Sequence, residues 1–226
     1  MSATGTVVSV NVGRPRSIEW FGRDVTTSIW KQPVDGRVAV AGVNLAGDDQ
    51  ADRRVHGGPD KAVYAYALED YRWWRDVSGD ALGEAVAPGT FGENLTLEGI
   101  DVDGLIVGDT WEVGSTRLRV TQPRFPCFKL GVRMGDSDFV DRFADARRFG
   151  VYFAIEAAGS VAAGDAMTHR SHPDDASLSV AEFIAAHEDN DVDLLSRIAG
   201  DRHVPDDWRR HASRTVARLA RRTERP

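Results

Sequence analysis

The chain has 226 residues, 42% hydrophobic and 28% charged, with a formal net charge of −7, an ordinary globular balance that argues against a nucleic-acid coat. Its length allows one large domain, or a medium domain with a small appendage. A single cysteine excludes a disulfide within the chain and suits a reducing compartment. Met1–Asn11 lacks a basic region followed by an apolar run, and no apolar stretch is long enough for a bilayer, so a cytoplasmic protein with no membrane partner is expected.

Thr6–Val12 alternates Val8, Val10 and Val12 with polar neighbours, the period of a half-buried strand. Ile29–Val34 and Arg37–Val43 flank Asp35-Gly36, a pair that tolerates the positive angles of a type I′ turn, so a hairpin is expected there. Leu45–Lys61 is too polar and glycine-rich for a regular element, and a strand follows at Ala62–Ala67. In His56-Gly57-Gly58 the backbone amides suit either a concave anion nest, with His56 and Lys61 as added donors, or a solvated turn. Leu68, Tyr71, Trp74 and Val77 recur at helical spacing, so Glu69–Val77 reads as a short helix whose aromatics serve the core.

Gly79–Pro88 reads as punctuation or a weak helix, and Gly89–Asn94 as a glycine-flanked polar loop before a strand at Leu95–Leu97. Val102–Val107, Thr110–Val113 and Arg117–Gln122 read as further strands, the last two joined by Gly114-Ser115. Gly47-Asp48, Gly108-Asp109 and Gly164-Asp165 echo one another, as turns joining barrel strands would. Phe139, Val140, Phe143 and Ala144 share a helical face, Gly150 closes it, Val151–Glu156 is a strand, and Gly159–Thr168 is a strand or hairpin.

Composition shifts at His169–Ala176, and three helices follow. Ser179–Glu188 opens with a capping box, Ser179 with Glu182 three residues on; Asp191–Ala199 is next, and Pro205 suits the first turn of the helix to Arg222. Arginines at 209, 210, 214, 218, 221 and 222 make the last helix basic; without interleaved aromatics they read as a solvated face and nucleic acid as an unlikely partner. The expected division is 1–170 and 171–226, with a tail whose amphipathic helix is able to pack against a second chain as a homodimer.

The lone cysteine lies in Val120–Leu130, between Pro123 and Pro126 and beside Arg124 and Lys129. The prolines stiffen the loop beyond Gln122, and the cations favour a thiolate where they lie close in space. From these residues Cys127 is a buried apolar group, a reactive thiol or a metal ligand.

Taken in order, Gly47–Asp52, His56–Val63, Phe91–Leu95, Val107–Asp109 and Gln122–Leu130 resemble the ordered motifs of MOSC domains, named for the C-terminal part of molybdenum-cofactor sulfurases. The likeness spans roughly Val7–Thr168, and the tail is similar to the three-helix extension of the bacterial subgroup associated with hydroxylaminopurine resistance. Phe128 stands where that subgroup often has tryptophan, a change that keeps aromatic character.

The resemblance implies a mainly β (α+β) fold, a distorted β-barrel with short flanking helices and a three-helix domain. It implies molybdenum cofactor (molybdopterin), with Cys127 on the metal or carrying sulfur and Cys127 and His56 catalytic. His56, Gly57, Gly58, Asp60, Lys61, Glu93, Asn94, Arg124 and Lys129 would hold the cofactor, with Asp52 or Glu93 as other proton donors. The implied reaction is a detoxifying reduction of N-hydroxylated bases or related compounds, without pyridoxal phosphate. Electrons would come from a separate donor protein, because no flavin, nicotinamide or iron–sulfur motif is visible. The alternatives are a sulfur carrier with a Cys127 persulfide and no reductase activity, and a binding module whose cysteine is structural.

Overall fold

The computed structural model describes residues 4–51, 57–78, 87–172 and 177–223. The chain begins with β1 (Thr4–Val12), β2 (Arg16–Trp20), β3 (Arg23–Thr27), β4 (Gln32–Pro33), β5 (Val38–Ala41) and β6 (Asn44–Leu45). A 3₁₀ turn at Pro59–Lys61 leads into β7 (Val63–Ala67), α1 (Leu68–Ser78), β8 (Leu95–Glu98), β9 (Thr110–Val113) and β10 (Thr116–Pro123). There follow α2 (Phe128–Met134), α3 (Phe139–Ala146), β11 (Val151–Ala157), β12 (Gly159–Val161) and β13 (Ala166–Ser171), then α4 (Val180–Glu188), α5 (Val192–Gly200) and α6 (Asp206–Thr223).

Seven strands run in the order β13-β9-β10-β11-β7-β8-β1, and β1 pairs again with β13, so the sheet closes into the expected barrel. The β7–β8 pair is parallel and the other neighbours are antiparallel. That parallel pair needs a crossover, and α1 lies in it. All five residues of β7 are buried. Tyr66 of β7 packs with Tyr71 of α1, with Phe91 and with Phe143 of α3, and its hydroxyl accepts from Trp74 of α1; Phe139 of α3 packs on Trp74 and Phe91, so the α1 aromatics do belong to the core.

Four local expectations give way. The valine alternation in β1 slips at a bulge between Val7 and Ser9, which puts Val7 and Val10 inside and leaves Val8 and Val12 half-buried. The runs around Asp35-Gly36 do not pair with each other: β4 joins β1, while β5 joins β6 and β12. Pro33 has no amide to donate to a partner ladder. The hairpin forms instead between β2 and β3, with positive φ at both Phe21 (49°) and Gly22 (71°). Val102–Val107 is turn backbone carrying only an isolated bridge, Ile106 to Ser179, and the Ala166–Ser171 strand pairs with β9 and β1 rather than with β12. The Gly79–Pro88 reading falls mostly outside the described residues.

The three Gly-Asp turns share one backbone form. Gly47, Gly108 and Gly164 have φ of 87°, 92° and 88°. In each, the aspartate amide donates to the carbonyl three residues back: Leu45, Ile106 and Ala162. This is the geometry of a type II turn, which asks for glycine at that place.

The tail follows its local signals. Ser179 caps α4 with the full capping box, and Asp191 caps α5 through Asp193 and Leu194 amides. Helices α4 to α6 enclose a second apolar cluster built on Phe183, Leu195, Ile198 and Ala212, which also takes in Val107 from the barrel side. Val180 and Ile184 of α4 face the barrel core instead. Among the described residues no helix is long and apolar enough to cross a membrane.

Candidate functional site

Strand β10 ends at Pro123, and the next four residues lead directly into α2, with Cys127 in extended backbone (φ −142°, ψ 165°) as the residue before the first turn. This helix was not expected from the sequence; Pro126 sits just before it, and Gly135 closes it at φ 68°. Cys127 is half-buried, and it stands on the border of two adjoining hollows.

The first hollow, of about 100 Å³, enters the barrel between the Lys31–Asp48 wall and the Tyr64–Tyr152 pair. The second, of about 440 Å³, runs from Cys127 under α6, where Trp208, His211 and Arg214 form the far wall. Lys61, Arg124, Cys127 and Tyr152 line both. A single cleft therefore has an inner, barrel-lined part and an outer part walled by the tail.

Arg124 is buried at 7% exposure, and its Nη1 has no hydrogen-bond partner among the described residues. Its guanidinium carbon lies 5.5 Å from the Tyr64 ring centre. Burial works against the Arg124 charge, but Cys127, Tyr64 and Tyr152 outweigh it, so its pKa stands above the ordinary value. Burial raises the Tyr152 pKa, against the pull of Arg124, and keeps the phenol protonated. Gln122 adds a second buried atom without a partner, Oε1, on the outer part of the cleft. Such orphaned groups have a desolvation penalty of ~1–3 kcal/mol each unless something binds them.

Lys31 and Asp48 form the inner wall as a buried ion pair, Nζ to Oδ1 at 2.5 Å and to Oδ2 at 2.6 Å. Burial lowers the Lys31 pKa, and Asp48 only partly restores it. Asp48 also accepts from the Gly13 amide (2.8 Å) and from Asn94 Nδ2 (2.8 Å). Asn94 is a rivet: Oδ1 accepts from the Tyr64 amide at 3.1 Å, and Nδ2 also donates to Asn11 O at 3.2 Å. It lines the inner hollow with its amide engaged in the protein.

The other residues expected at the cofactor divide by position. Lys61 is at the mouth, with Nζ 3.9 Å from Asp207 Oδ2 of α6, and Lys129 is buried against the inner part. Gly58 has φ 97° with nothing within 4 Å of a built Cβ, so glycine is required there for the backbone angle and leaves open space above it. Its amide donates to Gln50 Oε1 at 2.8 Å, while Gln50 Nε2 donates to the carbonyls of Val43 (3.0 Å) and Lys61 (3.1 Å). Gln50 thus clamps the glycine loop and takes up one amide of the expected nest. Gly57 precedes it, half-buried.

Asp60 and Glu93 do not line either hollow. Asp60 carries Arg119 on the outside at 3.6 Å, and its carbonyl accepts from Thr121 Oγ1 at 2.6 Å. Glu93 is fully buried: Oε1 accepts from Tyr71 (2.5 Å), the Gly89 amide (2.6 Å) and Thr96 (2.8 Å), while Oε2 has no partner among the described residues. Burial raises its pKa, and those donors pull against the shift. His56 and Asp52 lie outside the described residues.

Reasoning from sequence passed over Lys31, Gln50, Tyr64, Tyr152 and the α6 wall as parts of the site. Tyr64 and Tyr152 face each other across β7 and β11, and such pairing is invisible before the strands are matched. Lys31 lies in a run that reads as plain strand.

The MOSC domain family model matches residues 52–168. An uncharacterized Bacillus subtilis protein, YflK, is 32% identical over 205 residues, 90% of this chain and 91% of its own length. A protein named reductase from Gibberella moniliformis is 29% identical over 80% of this chain, which spans only 32% of that longer protein. The crystal structure of YiiM from Geobacillus stearothermophilus superposes with a TM-score of 0.75 at 30% identity, covering 94% of this chain and 99% of that one. The chain belongs to the MOSC domain family.

Proposed function

We propose that this protein is a molybdenum-cofactor-dependent reductase of N-hydroxylated bases or related compounds, with the cofactor in the two-part cleft and the Cys127 sulfur toward the metal. The observation that carries this reading is the donor set converging on one thiol: Cys127 on the border of both hollows, with a buried Arg124 Nη1 and Gln122 Oε1 still lacking partners beside it. A thiolate is a soft ligand, and a guanidinium fork with two lysines suits a phosphate and a polar ring system. MOSC membership and the name of the Gibberella relative agree with cofactor and reduction.

When bound, the cofactor supplies two-electron redox chemistry at molybdenum. The overall change is R–NHOH plus two electrons and two protons to R–NH₂ plus water. The electrons come from a separate donor protein. Arg124 would hold an anionic group of the cofactor through its unpartnered Nη1, and Lys61 would add a point charge at the mouth. Lys31–Asp48 and the Tyr64–Tyr152 pair keep the inner part shaped and partly dry, and His56 is assigned the proton transfer.

The test is metal and pterin analysis of protein purified from cells that make the cofactor, with hydroxylamine reduction by an artificial reductant. About one molybdenum per chain is expected, lost in Cys127→Ala. Wild-type protein without molybdenum, or equal metal in the variant, sinks the assignment. A cyanide-labile sulfur on Cys127 with no turnover would instead mark a sulfur carrier.

A further inference from the structure

The three Gly-Asp turns differ in what meets their carboxylates. Asp48 is met by the Lys31 ammonium, and Asp165 by the Arg37 guanidinium at 2.7 and 2.8 Å. Asp109, 2% exposed, is met by two imidazoles: His172 Nδ1 lies 2.7 Å from Oδ1 and His169 Nε2 lies 3.5 Å from Oδ2. Among the described residues neither lysine nor arginine completes this third turn. His169 Nε2 is shut off from solvent and has no hydrogen-bond partner among the described residues. The ligand atoms of the three residues all lie within 4.8 Å of one another, and the two rings are 4.2 Å apart at 43°.

We propose that Asp109, His169 and His172 form a binding site for a borderline divalent transition ion of the zinc class, separate from the cleft around Cys127. Two imidazoles and one carboxylate are the donor set such ions prefer, whereas magnesium and calcium ask for oxygens alone. Tetrahedral ligands at bond lengths of about 2.1 Å sit about 3.4 Å apart; here the three ligand atoms lie within 4.8 Å of one another, with His172 and His169 approaching different oxygens of the Asp109 carboxylate. The His172 side chain is 67% exposed, so its ring is free to turn toward a shared ion.

The ion would take the place that lysine and arginine fill at the other two turns. It would also tie the end of β13, where the chain leaves the barrel, to the turn before β9. That turn reaches the tail on its other side: Val107 belongs to the tail cluster, and a Cβ on Gly108 would meet the His203 ring at 2.9 Å.

The full chain carrying Cys127→Ser, which removes the soft ligand of the cleft, is stripped with chelator and titrated with cobalt(II) and with zinc(II). The expected result is one ion per chain, visible absorption bands from cobalt bound by nitrogen and oxygen, and a higher Tm with zinc. Adding His172→Ala, a change at an exposed side chain, should weaken binding at least 10-fold and abolish the Tm shift; His169→Ala should do the same. Absence of binding, or equal binding in the histidine variants, overturns the proposal and leaves a His172–Asp109 hydrogen bond with His169 packed beside it.

Discussion

The barrel and the helical tail treat charge in opposite ways. The barrel places Lys31, Asp48, Glu93, Arg124 and Lys129 at or inside its wall, all nearly removed from water, and most of them gather at the cleft. The tail encloses an apolar cluster, buries no polar groups beyond the uncharged Ser177 and Thr215 among the described residues, and keeps ion pairs such as Arg197–Glu182 and Arg209–Asp206 outside. The arginines at 210, 214, 218, 221 and 222 are exposed. Buried charge opposes folding unless each group finds a partner, so a domain that concentrates it has a function to serve there; surface pairs contribute little either way.

The largest test of this contrast is Lys31→Met. It leaves Asp48 buried with only neutral donors, and the expected loss is ~3–5 kcal/mol in denaturant unfolding, mostly restored by adding Asp48→Asn. A loss below ~1 kcal/mol would put the barrel pair on the same footing as the tail's surface pairs.

Next in size is a pH effect at the seam. Asp103 lies in a hollow with Arg147, Arg148 and Ala181 of α4, and burial, aided by Asp70 and Asp101, raises its pKa from 3.8 to about 6. Folding thus favours its protonated form: the stabilisation is full below pH 3.8 and is lost as pH rises through about 6. Asp103→Asn should remove that decline and gain on the order of 1–2 kcal/mol at pH 7, after allowing for partial exposure. Parallel stability curves for the two proteins between pH 4 and 7 would refute it.

The smallest effect belongs to the tail. Ser179→Ala removes the hydroxyl that accepts from the Glu182 amide, at 3.1 Å, and should lower stability by ~1 kcal/mol. The molybdenum content of the variant should not change, since the capping box does not line the cleft.

The same contrast explains what could be read before folding. Capping signals act within four residues, so Ser179 and Glu182 announced α4 from sequence, and the Asp191 cap of α5 is a signal of the same local kind. The Gly-Asp echo was equally legible, because a type II turn selects glycine locally. Barrel pairings join distant segments, so β4 and β5 were matched to each other when each had a different partner. In the cleft, Cys127, Arg124 and Lys61 were legible because they cluster in polar, proline- and glycine-rich loops. Tyr152 and the α6 wall were not, since only closure of the barrel and docking of the tail bring them to the thiol. The absence of Asp60 and Glu93 from the cleft has the same origin: neighbours in sequence point to opposite sides of a wall.

The outer part of the cleft is lined on one side by the Cys127 loop and on the other by Trp208, His211 and Arg214 of α6. Any molecule that fills it therefore binds only while both apolar cores are formed. Occupancy then couples the two apolar cores, which also meet at Phe125, Val107 and α4. Hydrogen exchange in α6 should slow when the cleft is loaded, which makes tail protection a gauge of occupancy that needs no knowledge of the reaction.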